Sequence, residues 1–254
     1  MNEFRIPCDN KPTKLVVNLS TKQPQMIRLM AFNPNKPKTY YTNRVKTVTG
    51  SAEFEIRMPQ SCDEVVVRVV SANGGNNGVA IDKIDKVKLE QYTNCFKSSA
   101  KVLSFVKFAQ EFSENASILS IGTYYSDDKL FRIDYYDVIS DNGRVLSTPA
   151  RCSNVNGRME VSKKHFSEYT VPMRMAILLH EFSHYYLNVV TQDEVEADLN
   201  ALRIYLGLGY PVIEAHNSFL NVFKRTPTAQ NKERYQYIKA FIDNFDAMKY
   251  KICL

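Results

Sequence analysis

The segment His180-Glu181-Phe182-Ser183-His184 constrains this chain more tightly than any other stretch of it. Histidines at i and i+4 share one face of an α-helix about a turn apart, so a helix here aims two imidazoles at one point. A helix is expected from about Pro172 to Asn188. Thr170 offers a cap, Pro172 falls in the first turn where its missing N–H costs nothing, and Ala176, Ile177 and Leu187 continue one buried stripe. Two imidazole nitrogens brought together in this way can bind one tetrahedral metal, with Zn2+ as the expected ion. Glu181, one residue after the first histidine, then reaches a water activated by that metal as general base. The competing reading is an accidental pair of structural histidines. Against it, only four histidines occur in 254 residues, and histidines buried beside Leu178 and Leu179 need polar partners, which a metal supplies.

A third protein ligand is required, and Glu194-Val195-Glu196-Ala197-Asp198 offers one. On a second helix expected over 193–206, Glu194 and Asp198 share a face. Glu194 can then join His180 and His184 as a metal ligand, while Asp198 accepts a hydrogen bond from a ligand histidine and fixes its tautomer. Thr191-Gln192-Asp193-Glu194 also fits a capping box, which would turn Glu194 onto the backbone and leave Glu196 or Asp198 as the ligand. The metzincin pattern wants Gly and His three and six residues after the second histidine; Leu187 and Val190 stand there, which excludes it. Hydrolysis at such a centre needs a donor for the developing oxyanion. Tyr205, Tyr210 and His216 follow downstream, with Tyr210 and His216 the candidates, although each residue type at such places more often packs a helix or turn. The strand expected at Arg158–Val161 stands before the metal helix as a substrate-aligning edge strand would.

The first 90 residues read differently. Short β-branched and aromatic runs at Lys14–Leu19, Gln25–Phe32, Thr39–Thr49, Ala52–Met58 and Glu64–Ser71 are separated by Pro, Asn and Gly, the signature of a small antiparallel β module. Asn73-Gly74-Gly75-Asn76-Asn77-Gly78 marks a hairpin tip or the approach to a domain boundary. We place that boundary at 92, with a β-rich interaction or assembly module over 1–92 and an α+β domain over 93–254. In the second part a helix over Phe96–Phe112 precedes a hairpin (Ile118–Tyr125 with Leu130–Ile139) and a short strand over Gly157–Val161. Helices follow to the end: that carrying His180, then Asp193–Leu206, Val212–Phe223 and Thr228–Met248. The formal charge of +6 lies mainly in the β module, which holds 14 Lys and Arg against 9 Asp and Glu within the first 90 residues. That excess is too mild and dispersed to signal nucleic acid. Five scattered cysteines without a CxxC pair argue against a disulfide framework. No apolar run approaches the roughly 20 residues of a membrane span, and the amino terminus lacks a signal-peptide pattern, so cytoplasmic synthesis is expected.

The H-E-x-x-H helix followed by E-x-x-x-D resembles the gluzincin zinc metallopeptidases, and Glu194-Val195-Glu196-Ala197-Asp198 is similar to the E-x-E-A-D of CAAX-processing peptidases. Only nine residues separate His184 from Glu194, shorter than the usual gluzincin spacer, so the first helix must stop near Asn188 and the chain reverse in a tight loop. The fold this implies is a zincin-like metallopeptidase domain with carboxy-terminal helices behind the β module. Phe131-Arg132-Ile133-Asp134-Tyr135, Leu146–Arg151, the metal segment and Tyr205–Pro211 together also resemble proteins of crAss-like bacteriophages. That resemblance implies a virion component, a homo-oligomeric ring of the head-to-tail barrel contacting other virion proteins, with the β module as assembly face. The alternative is a free cytoplasmic zinc endopeptidase acting on peptide or protein substrates.

Overall fold

The computed structural model describes residues 2–72, 78–91, 99–190, 192–225 and 228–248, with side chains described except at residues 2, 219–225 and 246–248. The chain divides into two compact units, Met1–Gln91 and Tyr92–Leu254. Among the described residues the first has strands as its only regular elements and the second is α+β, one helix and then strands followed by further helices.

In the first unit β1 (Asn2–Pro7), β2 (Thr13–Phe32), β3 (Tyr40–Met58), β4 (Glu64–Ser71) and β5 (Val79–Lys88) form one antiparallel sheet. The long strand β2 pairs with β3 along most of its length, with β5 beside Thr13–Thr21 and with β4 beside Ile27–Phe32. Four of the strands read from sequence are therefore two. The register of β2 slips between Thr21 and Gln25, and Gly50 opposite takes φ 69°, a left-handed value open to glycine, so the ladder bends where the sequence suggested a break. Period-two burial continues on either side: Leu15, Val17 and Leu19, then Ile27, Leu29 and Ala31, are fully enclosed. The strand β5 escaped the sequence pattern because none of its residues is fully buried. Residues 73–77, in the glycine and asparagine run, lie outside the described residues.

In the second unit β6 (Gly122–Tyr125), β7 (Arg132–Tyr136), β10 (Ala150–Cys152) and β11 (Met159–Ser162) form a sheet in the order β10-β11-β7-β6, with a two-residue ladder of β8 (Ser140–Asp141) and β9 (Arg144–Val145) apart from it. The β11–β7 pair is parallel and the other two are antiparallel. The helices are α1 (Ala100–Asn115), the short α2 (Lys163–Phe166), α3 (Val171–Tyr186), α4 (Glu194–Gly207), α5 (Val212–Arg225) and α6 (Ala229–Met248). Ser99 caps α1; the start expected at Phe96 lies outside the described residues. The central element is α3, with 13 of its 16 residues buried. Thr170 caps it, its hydroxyl accepting from Met173 N, and Pro172 sits in the first turn. Phe182 of α3 stacks on Phe105 of α1 with centroids 4.1 Å apart, and Phe131 meets both rings edge-on. The residue next to Glu181 is thus locked into the aromatic core.

Arg174, one turn into α3, is wholly buried. Its guanidinium donates to Phe166 O at 2.8 Å and Ser113 O at 2.7 Å, closing carbonyl ends of α2 and α1. Burial lowers its pKa to about 10, so it remains charged. Replacing it strands two buried carbonyls. Arg174→Met should destabilise this unit by about 2–4 kcal/mol, seen as a lower urea midpoint with an unchanged slope. No drop would mean that the two carbonyls find other partners.

Candidate metal centre

The packing of α3 fixes the direction of His180 and His184, and their Nε2 atoms lie 3.1 Å apart. Glu194, the first residue of α4, brings Oε2 to 3.5 Å from His180 Nε2 and Oε1 to 3.6 Å from His184 Nε2. For metal–ligand bonds of 2.0–2.1 Å, the edges of a tetrahedron are about 3.3 Å. The histidine pair lies near that length and each Glu194 oxygen lies slightly beyond it from a different histidine, so that the carboxylate straddles the pair; among the described residues this is the one His, Cys, Asp or Glu cluster compact enough to hold an ion.

The carboxylate of the N-cap and the three of α4 have distinct tasks. Asp193 is the N-cap, accepting from Glu196 N at 2.9 Å. The Glu196 carboxylate turns back to accept from the backbone N–H groups of Val189 and Val190. The N-cap is therefore Asp193, two residues along from the capping box read from Thr191, a residue outside the described set, and Glu196 serves the preceding turn while Asp193 N donates to Val190 O. Glu194 is left to face the histidines. Asp198, a turn further on and 1% exposed, lies 2.8 Å from His180 Nδ1, which turns Nε2 towards the cluster. A tight turn makes the short spacer work: α3 ends at Tyr186, Asp193 N donates to Val190 O, and the Asn188 amide bonds Asp193 O at 2.7 Å.

One participant has no counterpart in the sequence reading. Arg234 of α6 forks onto Asp198 with bonds of 2.8 and 3.0 Å and reaches Glu194 Oε2 at 2.9 Å. It holds in place both the carboxylate at the cluster and the carboxylate behind it. Its signal was a charge inside an apolar stripe: Arg234, Ile238 and Ile242 succeed one another at i, i+4 and i+8 on the buried face of α6.

Carboxylates dominate the electrostatics of the site. Burial opposes charge on His180, yet Asp198, Glu194 and Glu181 override it and raise its pKa to about 10. Burial would raise Glu194, but His180, Arg234 and His184 bring it down to about 2. Glu181, 9% exposed, is pushed up by burial against the pull of the two histidines, and its carboxylate takes the backbone N–H of Cys152. Partial burial, with Glu181 beside it, raises the Cys152 thiol to about 12, so it stays protonated.

No known protein family, curated protein or solved structure matches this chain.

His180, Glu181, His184, Glu194 and Arg234 line a cleft of ≈ 560 Å³ whose opposite wall is β10. This corrects the expectation for Arg158–Val161: β11 is paired on both sides, and the edge strand is β10. Pro149 O and Ser153 N bond towards β11, so by antiparallel alternation the backbone groups of Ala150 and Cys152 face the cleft side. The two candidate oxyanion donors are also corrected, since neither lines the cleft. Tyr210 is buried against Tyr205, with rings 4.8 Å apart and its hydroxyl near Gln110. His216 packs on Tyr235, turned towards α6. Tyr205 is equally enclosed, donating to Pro211 O. Burial of aromatic area claimed the two tyrosines, and packing against Tyr235 claimed His216. No helix of the described residues is long and apolar enough to cross a membrane.

Removing the Arg234 charge leaves two packed carboxylates without their cation. Arg234→Met should destabilise the metal-free protein by about 3–5 kcal/mol, and a saturating divalent metal should recover part of that loss. Denaturant titrations with chelator and with metal give the comparison; equal losses in the two conditions would mean that Arg234 and the metal site are not coupled.

Proposed function

We propose that the second unit is a zincin-like metallopeptidase domain in which His180, His184 and Glu194 hold one zinc ion and Glu181 serves as general base. The observation that carries this is the compact donor cluster of His180, His184 and Glu194, with an acid/base carboxylate in the same open cleft. Two histidines and a glutamate form a donor set used at catalytic zinc, which when bound supplies a Lewis acid that polarises a scissile carbonyl and acidifies water.

The chain's own residues supply the rest. Burial raises the Glu181 carboxyl above its ordinary value, and Cys152 N–H fixes its direction. Asp198 orients His180, and Arg234 orients Asp198 and Glu194. The outward-facing backbone of β10 suits the alignment of an extended peptide across the cleft. The rival reading is a zinc that merely staples α3 to α4. A staple needs neither a base nor a cleft, and Arg234 already joins α4 to α6. The placement of the protein in a phage virion, as a ring subunit of the head-to-tail barrel, rests on the sequence resemblance alone.

Glu181→Gln should retain one zinc per chain and lower the cleavage of an oriented peptide library about 10²–10⁴-fold. A variant as active as the parent, or a parent without zinc, sinks the reading. For the virion setting, negative-stain microscopy of the purified full chain should show closed rings; a strict monomer would contradict it.

A further inference from the structure

Alternation along the strands gives the second sheet two faces. Ile133, Tyr135, Ala150, Met159 and Val161 are buried against the helices, and the residues between them form the other face. On that face the register lines up one row across all four strands: Thr123 of β6 opposite Asp134 of β7, Asp134 beside Glu160 of β11, and Glu160 opposite Arg151 of β10. The row ends at Arg151 because β10 is the edge strand.

Arginines hold this row together. Two carboxylates side by side repel each other, and Arg158 bridges them, reaching Asp134 Oδ2 and, at 2.8 Å, Glu160 Oε1. Arg132 adds a bond of 3.0 Å to Asp134 Oδ1, to which Thr123 also donates, and Asp134 is left 2% exposed. Arg151 closes on Glu160 Oε2 at 2.6 Å through Nε. Its Nη2 reaches Ser140 O at 3.4 Å, and Nη1 has no partner among the described residues. Three arginines thus face two carboxylates, and Arg151 carries its part of that surplus to the open edge.

At Arg151 the row meets the cleft. Arg151 lines the ≈ 560 Å³ cleft and, with Arg158 and Glu160, a neighbouring hollow of ≈ 340 Å³. The next residue, Cys152, gives its backbone N–H to Glu181. A chain aligned along β10 pairs with the backbone of Ala150, because the N–H and C=O of Arg151 point to β11. In antiparallel pairing, the commoner kind, the residue facing Arg151 then belongs to a non-hydrogen-bonded pair, with Cα atoms about 4.5 Å apart and side chains at their closest. That side chain extends the charged row, and opposite charge stabilises such a cross-strand pair. Building on the peptidase reading, we infer that Arg151 selects substrate strands carrying Asp or Glu at the position facing it, next to the residue facing Cys152. At about 3.3 Å per residue, this position lies within two residues of the bond addressed by Glu181. The substrates are acidic extended segments of proteins, and Arg151 binds them beside the reacting atoms, not at them.

An oriented decapeptide library tests this in two formats, as cleavage substrate for the full-length zinc-loaded protein and as binding probe for the same protein carrying Glu181→Gln. The parent should enrich Asp or Glu at one position within two residues of the cut. Its kcat/KM for the best peptide should exceed that for the Gln or Asn twin about fivefold, the reach of one cross-strand ion pair. That ratio should fall to about one in Arg151→Gln, and for the parent in about 1 M salt, while Arg151→Glu should turn the preference to Lys or Arg. Each ratio is taken within one protein, so a loss of folded material leaves it unchanged. Arg132→Gln, at the far end of the row, should keep the parent's ratio; an equal fall there would make the preference a general field of the sheet and overturn the pairing at Arg151. Acidic enrichment in binding without any cleavage by the parent would keep the acidic strand and remove the hydrolytic reading. A ratio unchanged in Arg151→Gln, or no acidic enrichment in either format, would overturn the inference.

Discussion

The second unit depends on one buried chain of charge: Arg234 to Asp198 and Glu194, and Asp198 on to His180. It draws α6, α4 and α3 to a common point inside a core otherwise made of phenylalanine, tyrosine and aliphatic side chains. Buried charges stay in such surroundings only when paired and hydrogen-bonded. Three carboxylates, those of Glu181, Glu194 and Asp198, meet here with one arginine. A divalent cation between the histidines would bring the sum to neutrality.

That arrangement also explains why the fold places its elements as it does. The helix α3 is buried on nearly every side, so its two histidines cannot rotate away, and Phe182 between Phe105 and Tyr186 anchors the residue beside Glu181. The short connection to α4 would leave backbone groups unpaired at the reversal; Glu196 accepts from two of the N–H groups and Asn188 donates to Asp193 O, which releases Glu194 for the histidines. The edge strand β10 completes the cleft from the sheet side and contributes the N–H that steers Glu181.

Much of this was legible in the sequence, for physical reasons that differ from residue to residue. His180, Glu181 and His184 could be read because helical periodicity alone determines which side chains share a face. Asp198 was readable for the same reason. Glu194 stayed ambiguous until the cap was seen, because Asp, Glu and Thr compete for the same backbone donors and only the geometry shows Glu196 taking the loop. Arg234 comes from a helix some forty residues away, and nothing local marks its pairing beyond a charge in an apolar stripe. Tyr210 and His216 were misjudged because proximity along the chain carries no information about which way a ring turns to be buried. In the β unit, alternation located the buried strands but missed β5, whose residues are all at least partly exposed, and a glycine bend at Gly50 passed for a break.

The central claim is that a zinc ion sits between α3 and α4. Anomalous diffraction recorded on either side of the zinc absorption edge, from crystals of the protein purified without added metal, tests it directly. The account predicts a single peak, with His180 Nε2, His184 Nε2 and a Glu194 oxygen each about 2.0–2.2 Å away and Arg234 still paired to Asp198. A structure with no zinc peak in this cleft, or with His180 and His184 turned apart around another partner, would contradict it.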